Sequence, residues 1–250
     1  MSYTVQNLEK VTNYLDTKEL ERLRNFRPRG PFKNGRSRPI LFICDMIDLL
    51  GEWQDSRHIK AVFDVMATRN YIDFVVLTKR IDWAAQWLSQ YVTSNGHPLI
   101  STGYAPQNII IGTSVENQKR ADERRQPLQV ISQLGFRTLV SYEPALGMVD
   151  WGKGNWNFLN WLICGGESGN KARPMNPDWA RAARDFAYIQ DIPFFFKQWG
   201  EWRPVNDLVR VGIQTFKNKP QLVDDVMMVK IGKALAGHEL DRTRWRQVIK

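Results

Sequence analysis

The chain has 250 residues, 43% of them hydrophobic, and a formal net charge of +9 at pH 7. This length allows one domain with a large core, and no apolar run is long enough to cross a bilayer, which argues against a membrane protein. The polar start MSYTVQNLEK lacks the features of a secretory signal, so we expect a cytoplasmic protein with no membrane partner. Cys44 and Cys164 do not form a CxxC pair, so their spacing indicates no metal site.

Residues 1–38 differ from the rest of the chain and are predicted to form a separate N-terminal region. Apolar residues at helical spacing over Val5–Arg24 predict a helix, with Thr17 as a plausible N-cap. A basic stretch rich in proline and glycine, Phe26–Gly35, follows as a connector.

Six short apolar runs follow, each ending abruptly in charged or hydroxylic residues. They begin roughly 23 to 36 residues apart, the length of a strand–loop–helix–loop unit, and lie at Pro39–Asp45, Phe74–Arg80, Ile109–Asn117, Thr138–Pro144, Trp161–Gly169 and Pro193–Trp199. Four segments between them have helical spacing of apolar residues: Ser56–Thr68, Trp83–Thr93, Glu116–Leu134 and Pro177–Ile189. Continuous apolar strands indicate a parallel sheet covered on both faces. We therefore predict an α/β fold, a partial (βα) TIM-like barrel of about six parallel strands over residues 39–202, on which an extension, residues 203–250, packs.

The polar residues that end these runs are expected to meet at the carboxyl ends of the strands, where such barrels carry their chemistry. The predicted ligand-binding residues are Asp45, Thr78, Lys79, Arg80, Ser114, Glu116, Asn117, Ser141, Glu143, Gly165, Gly166, Glu167, Ser168, Arg173, Lys197 and Gln198. The carboxylates and cations could neutralise each other in a structural network. Alternatively, they could bind a zwitterionic or cationic ligand, with the carboxylates contacting its ammonium and the cations its carboxylate or phosphate.

The stretch Cys164-Gly165-Gly166-Glu167-Ser168-Gly169 suggests two further expectations about this site. Glycines would let the backbone approach a ligand closely, because a side chain there would obstruct it. A glutamate whose pKa is raised by neighbouring carboxylates could act as a general acid or base. The GxGxxG spacing of dinucleotide-binding proteins is not present in this stretch.

Basic clusters suggest nucleic acid as a partner, since they attract polyanions. The residues predicted to bind nucleic acid are Arg27, Arg29, Lys119, Arg120, Arg124 and Arg125. The alternative is a solvated basic surface that only keeps the protein soluble.

The strings LTKR, SVENQKRADERR, SYEPALG, CGGESGNKARPMNPDWAR and PFFFKQWGEW, in this order, resemble a family of phage and bacterial proteins of unknown function, the gene-product thirty-seven/sixty-eight family. The resemblance spans about Pro39 to Trp202 and includes the ending KIGKALAGHELDRTRW. It implies a radical-SAM-like barrel whose mouth residues hold S-adenosylmethionine and substrate, with a [4Fe–4S] cluster bound by three closely spaced cysteines ahead of the barrel. A phage-encoded member would reside in the cytoplasm of its bacterial host.

This chain departs from that pattern because residues 1–38 contain no cysteine, and Cys44 and Cys164 cannot replace the three-cysteine segment. An iron–sulfur cluster is therefore not supported by the cysteines of this chain. Three explanations stay open: the cluster segment lies on a separate, cysteine-bearing partner polypeptide or was lost from this gene, the chain is a degenerate relative that binds without catalysis, or the mouth supports cluster-independent chemistry. The resemblance, together with the carboxylates and cations of the mouth, implies S-adenosylmethionine or a similar zwitterion as ligand and a role in nucleic-acid modification. The alternative is a non-catalytic module that binds nucleic acid or protein.

Overall fold

A computed structural model describes residues 38–43, 48–91, 105–210 and 212–249 of the chain. It divides into two compact units. The first runs up to Thr113 and includes Pro127–Arg137, and the second combines Ser114–Gln126 with Thr138–Lys250. Most of the predicted N-terminal region, residues 1–37, lies outside the described residues, and so does Asp45. The predicted domain boundaries stay predictions.

Six parallel strands form one sheet in the order β1-β2-β3-β4-β5-β6, alternating with helices, and this confirms the predicted partial βα barrel. The strands are β1 Ile40–Ile43, β2 Asp73–Thr78, β3 Ile109–Ser114, β4 Arg137–Tyr142, β5 Trp161–Gly165 and β6 Phe194–Gln198. The register pairs Ile40 with Asp73 and Leu162 with Phe194. Nearly every residue of β2 to β5 is buried, as their continuous apolar runs predict.

Four helices connect these strands close to their predicted positions: α1 Ser56–Ala67, α2 Ile81–Gln90, α3 Gln118–Gln133 and α4 Pro177–Ile189. Helices α1 and α4 each begin next to a residue whose side chain caps the first turn. Asp55 accepts a hydrogen bond from the Arg57 backbone N–H at the start of α1. At α4, Asn176 caps the helix and Pro177 occupies its first position, where a missing N–H costs nothing.

The last part of the chain adds a small antiparallel sheet of order β7-β9-β8, which the sequence reading described only as an extension. Its strands are β7 Trp202–Pro204, β8 Gln221–Val223 and β9 Val226–Lys230, accompanied by the short helices α5 Val205–Arg210 and α6 Lys233–Ala236. None of the helices in the described ranges is long and apolar enough to traverse a bilayer.

The C-terminal tail pairs with β6, which is the last strand of the parallel sheet. The Phe196 N–H donates to the Trp245 carbonyl at 3.0 Å, and the Gln247 N–H donates to the Phe194 carbonyl at 3.1 Å. An unpaired strand edge exposes backbone groups to water or to other chains. The tail therefore satisfies backbone groups of β6 that the strand order alone would leave open.

Ion pairs fasten this tail to α4. Arg181 donates to Asp241 at 2.7 Å, and Arg184 donates to the other oxygen of the same carboxylate at 2.5 Å. The hydrogen bond from Arg181, supported by the one from Arg184, holds the pKa of Asp241 below its ordinary value of 3.8. The tail is thus held by backbone pairing on one side and by charge on the other.

Candidate functional site

A cluster of polar side chains lies at the carboxyl ends of β4, β5 and β6, all within the second unit. Lys197 donates to one oxygen of Glu143 at 2.9 Å. The side-chain amide of Gln198 donates to Ser168 at 2.9 Å and approaches the other Glu143 oxygen at 3.4 Å. Four residues predicted from three different strand ends are therefore brought together around one carboxylate.

The second predicted carboxylate, Glu167, forms a two-pronged ion pair with Arg173. The guanidinium donates to both carboxylate oxygens, at 2.7 and 2.9 Å, and the Arg173 backbone N–H donates to one of them at 2.7 Å. These hydrogen bonds lower the pKa of Glu167, and its partial burial only partly offsets them. The expectation of a raised glutamate pKa is therefore wrong for this residue, because an arginine faces it rather than another carboxylate.

The third carboxylate, Glu116, belongs to a more buried pair. Arg124 donates to Glu116 at 2.9 Å and to the Ser114 carbonyl at 2.6 Å, and the two side chains are only 11% and 14% exposed. The negative charge of Glu116 also contributes to raising the pKa of Arg173, after the larger effect of Glu167. Asn117 accepts a hydrogen bond from the Arg120 N–H and so caps α3.

Close packing of the backbone requires a glycine at position 166, the second glycine after Cys164. The Gly166 N–H donates to the Gln198 carbonyl at 2.9 Å, and a Cβ at Gly166 would overlap the carbonyl oxygen of Trp199. A Cβ at Gly165 would stand 3.3 Å from the Glu143 carboxyl carbon. At Gly166, the close neighbour is therefore the backbone that follows β6 and not the ligand that was expected there.

The loop that carries Glu167 and Arg173 is held by the start of the antiparallel sheet. The indole N–H of Trp202 donates to the Ala172 carbonyl at 2.7 Å inside the protein. Glu201 accepts from the Gly169 N–H at 3.1 Å, and its own N–H donates to the Glu167 carbonyl at 3.0 Å. Sequence reasoning missed this role of Glu201 and Trp202, although both lie in the string PFFFKQWGEW.

In the first unit, the predicted residues at the end of β2 have local structural partners. Thr78 is buried and accepts from the Arg80 N–H at 2.9 Å, which ends the strand before Lys79. The Lys79 N–H donates to Asp48 at 3.1 Å, so Asp48 ties the segment after β1 to the end of β2. Arg80 lies within 3.6 Å of the Glu52 carboxylate.

The basic residues predicted to contact nucleic acid on α3 do not share one role. Lys119 and Arg120 are exposed, and Arg120 pairs with Glu123. Arg124 points into the pair with Glu116, and Arg125 donates to the Gly154 carbonyl. Arg27 and Arg29 lie outside the described residues.

Cys164 is fully buried, and burial, with a smaller effect of the nearby Glu143 charge, raises the pKa of its thiol well above 9.0. A thiol that stays protonated is a poor metal ligand. Within the described ranges, no group of three or more histidine, cysteine, aspartate or glutamate side chains is placed to hold a metal ion. The residues that the structure describes therefore do not fit an iron–sulfur cluster.

Comparison with protein families adds one result to this geometry. A family model described as a protein of unknown function, DUF5131, matches residues 3–249. The chain belongs to the DUF5131 family. No curated protein and no solved structure matches it.

Proposed function

We propose that the carboxyl ends of β4 to β6 bind a small zwitterionic molecule of the amino-acid type, with S-adenosylmethionine as the leading candidate. The observation that carries the proposal is the Glu143–Lys197 pair with Gln198 and Ser168 beside it. A carboxylate and an ammonium side by side are complementary to the ammonium and carboxylate of an amino acid. The amide and the hydroxyl add hydrogen bonds that can orient it.

The ion pairs differ in how easily a ligand can replace them. Lys197 is 52% exposed, so it separates from Glu143 at a cost of about 0–1 kcal/mol. Arg173 is 61% exposed, but its two-pronged pair with Glu167 needs the upper end of that range or more. The pair of Glu116 with Arg124 is largely buried and also holds the Ser114 carbonyl, so opening it costs more. We therefore assign Glu143 and Glu167 to the ligand's ammonium, Lys197 and Arg173 to its carboxylate, and Glu116 to support.

The resemblance to the gene-product thirty-seven/sixty-eight family supports S-adenosylmethionine among zwitterions, since it implies a radical-SAM-like barrel. The sulfonium of S-adenosylmethionine adds a positive charge, which a site with three carboxylates can accommodate. No step is assigned to a cluster, because the described residues offer no ligand set for one. Under this proposal the chain holds and orients the ligand, and modification of nucleic acid would require the missing thiolates from a cysteine-bearing partner polypeptide.

The test is thermal denaturation with S-adenosylmethionine, methionine and adenosine added separately. A ligand present at 100 times its dissociation constant stabilises the folded protein by about 2.7 kcal/mol. For a chain of this size that raises the melting temperature by roughly 5–11 °C. We expect stabilisation by S-adenosylmethionine and by methionine, and none by adenosine, because adenosine lacks the zwitterion.

The matched variants are Glu143→Gln and Asp178→Asn. Each removes one carboxylate charge from an ion pair, but Asp178 lies on α4 and pairs with Arg181, which is not a residue of the cluster. Loss of the ligand effect in Glu143→Gln alone supports the proposal. Absence of any effect in the wild type rejects it and leaves the alternative, a non-catalytic module that binds nucleic acid or protein.

A further inference from the structure

Trp53 differs from the other tryptophans of the chain in its exposure. The chain has ten tryptophans, and Trp53, at 39%, is the one whose side chain is exposed. Its ring lies against the backbone of Gly51, since a Cβ there would come within 2.5 Å of two indole ring atoms. Gly51 thus leaves room for the Trp53 indole, and burial in the core does not explain why the indole lies there, because Trp53 is exposed.

A cation completes this arrangement. The Arg80 guanidinium lies 5.6 Å from the centre of the Trp53 ring, within the range of a cation–π interaction. The neighbouring Lys79 side chain is exposed, and its backbone N–H is fixed by Asp48 at 3.1 Å. An exposed aromatic ring with an arginine near it, and a lysine next to that arginine in the chain, is the combination that single-stranded nucleic-acid binders use for bases and phosphates.

The carboxylates nearby are largely engaged by donors. Asp48 accepts from the N–H groups of Leu50 and Lys79, and Asp55 accepts from Arg57 through its backbone and its guanidinium. Glu52 faces Arg80 at 3.6 Å, a distance longer than a hydrogen bond. A phosphate can therefore compete with Glu52 for Arg80, while Asp48 and Asp55 stay bound to the chain.

We infer that the Trp53–Arg80 pair binds a nucleotide unit, with its base stacked on the indole and its phosphate at Lys79 and Arg80. The site lies within the first unit and does not depend on the ligand proposed above. The nucleotide can come from single-stranded nucleic acid or from a free mononucleotide, and the two sources are separated by experiment.

The experiment measures fluorescence anisotropy of a labelled oligothymidylate of about 12 nucleotides at low salt, and titrates AMP separately. Trp53→Ala should weaken binding about 5- to 150-fold, the range that stacking of one base supplies. Trp53→Phe, which keeps a ring, should lose less. Lys79→Gln should reduce the slope of log affinity against log salt by about 0.7, the effect of one phosphate contact on a single strand.

Tyr188→Ala is the control for loss of an exposed aromatic ring, because Tyr188 is highly exposed on α4. It should leave the affinity unchanged. Strong binding of the oligonucleotide with weak binding of AMP identifies nucleic acid as the source, and comparable affinities identify the mononucleotide. Equal affinities of wild type, Trp53→Ala and Trp53→Phe, or no binding of either probe to the wild type, overturn the inference.

Discussion

Gly166→Ala tests whether close packing of the backbone after β5 against the backbone after β6 requires a glycine at this position. The added Cβ would overlap the Trp199 carbonyl oxygen and come within 2.7 Å of its carbon, so the backbone must shift. Such overpacking costs about 1–3 kcal/mol. The shift also weakens the hydrogen bond from Gly166 to the Gln198 carbonyl, worth about 1 kcal/mol. We expect a loss of roughly 2–4 kcal/mol, which lowers the melting temperature by roughly 4–16 °C.

Urea denaturation followed by circular dichroism measures this loss. Gly152→Ala is the matched control, since its Cβ would meet nothing closer than Asp150 at 3.6 Å, an ordinary contact. It should be neutral or slightly stabilising, because alanine reduces the entropy of the unfolded chain. A loss in Gly166→Ala below about 1 kcal/mol, or equal to that of the control, would refute the packing argument.

Two further predictions concern charges. Arg124→Gln should lower the free energy of unfolding by about 1–3 kcal/mol, because it removes a charged hydrogen-bond donor from the largely buried Glu116. Arg120→Gln, in an exposed pair, should cost less than about 1 kcal/mol. Equal losses in urea denaturation would contradict this. The folded pKa of Asp241 lies below 3.8, so its ion pairs stabilise the protein above that pH and are lost as the pH falls through the folded pKa. Asp241→Asn should therefore destabilise the protein at pH 6 and destabilise it less near pH 2. An equal effect at both pH values would disprove the role of its charge.

The strands could be predicted because each one is determined by a continuous apolar run in its own stretch of sequence. Continuous runs such as the one from Phe74 through Thr78 have no polar face, and only a sheet covered on both sides buries them. The predicted end was two residues late at this strand. Thr78 accepts the Arg80 N–H, and a hydroxyl at a strand end does not by itself reveal which backbone group it will bind.

The partners of the site residues could be predicted only in part. Glu143 and Lys197 meet because both lie at the carboxyl ends of parallel strands, which the pattern of runs already indicates. The pairing of Arg124 with Glu116 depends on which face of α3 turns towards the strand ends, and two basic pairs, Lys119-Arg120 and Arg124-Arg125, do not reveal this. From the sequence, Gly166 could make room for a ligand or for another segment of the same chain, and only the position of Trp199 distinguishes the two.

The antiparallel sheet at the end of the chain was missed because its strands are short and their pairing is not local. Trp202 pairs with Lys230 across β7 and β9, a separation that no local pattern of apolar residues signals. The same sheet fixes the loop with Glu167 through Trp202. The extension is therefore part of the support of the candidate site.

Isothermal titration calorimetry of S-adenosylmethionine with the wild type and Glu143→Gln tests the central claim most directly. The account predicts measurable binding to the wild type and at least roughly tenfold weaker binding to the variant, because the ligand's ammonium loses a charged hydrogen-bond partner worth about 1.5–3 kcal/mol. Thermal stability of the variant, measured in parallel, shows that the fold is intact. Absence of heat with the wild type, or the same affinity in both proteins, would contradict the claim.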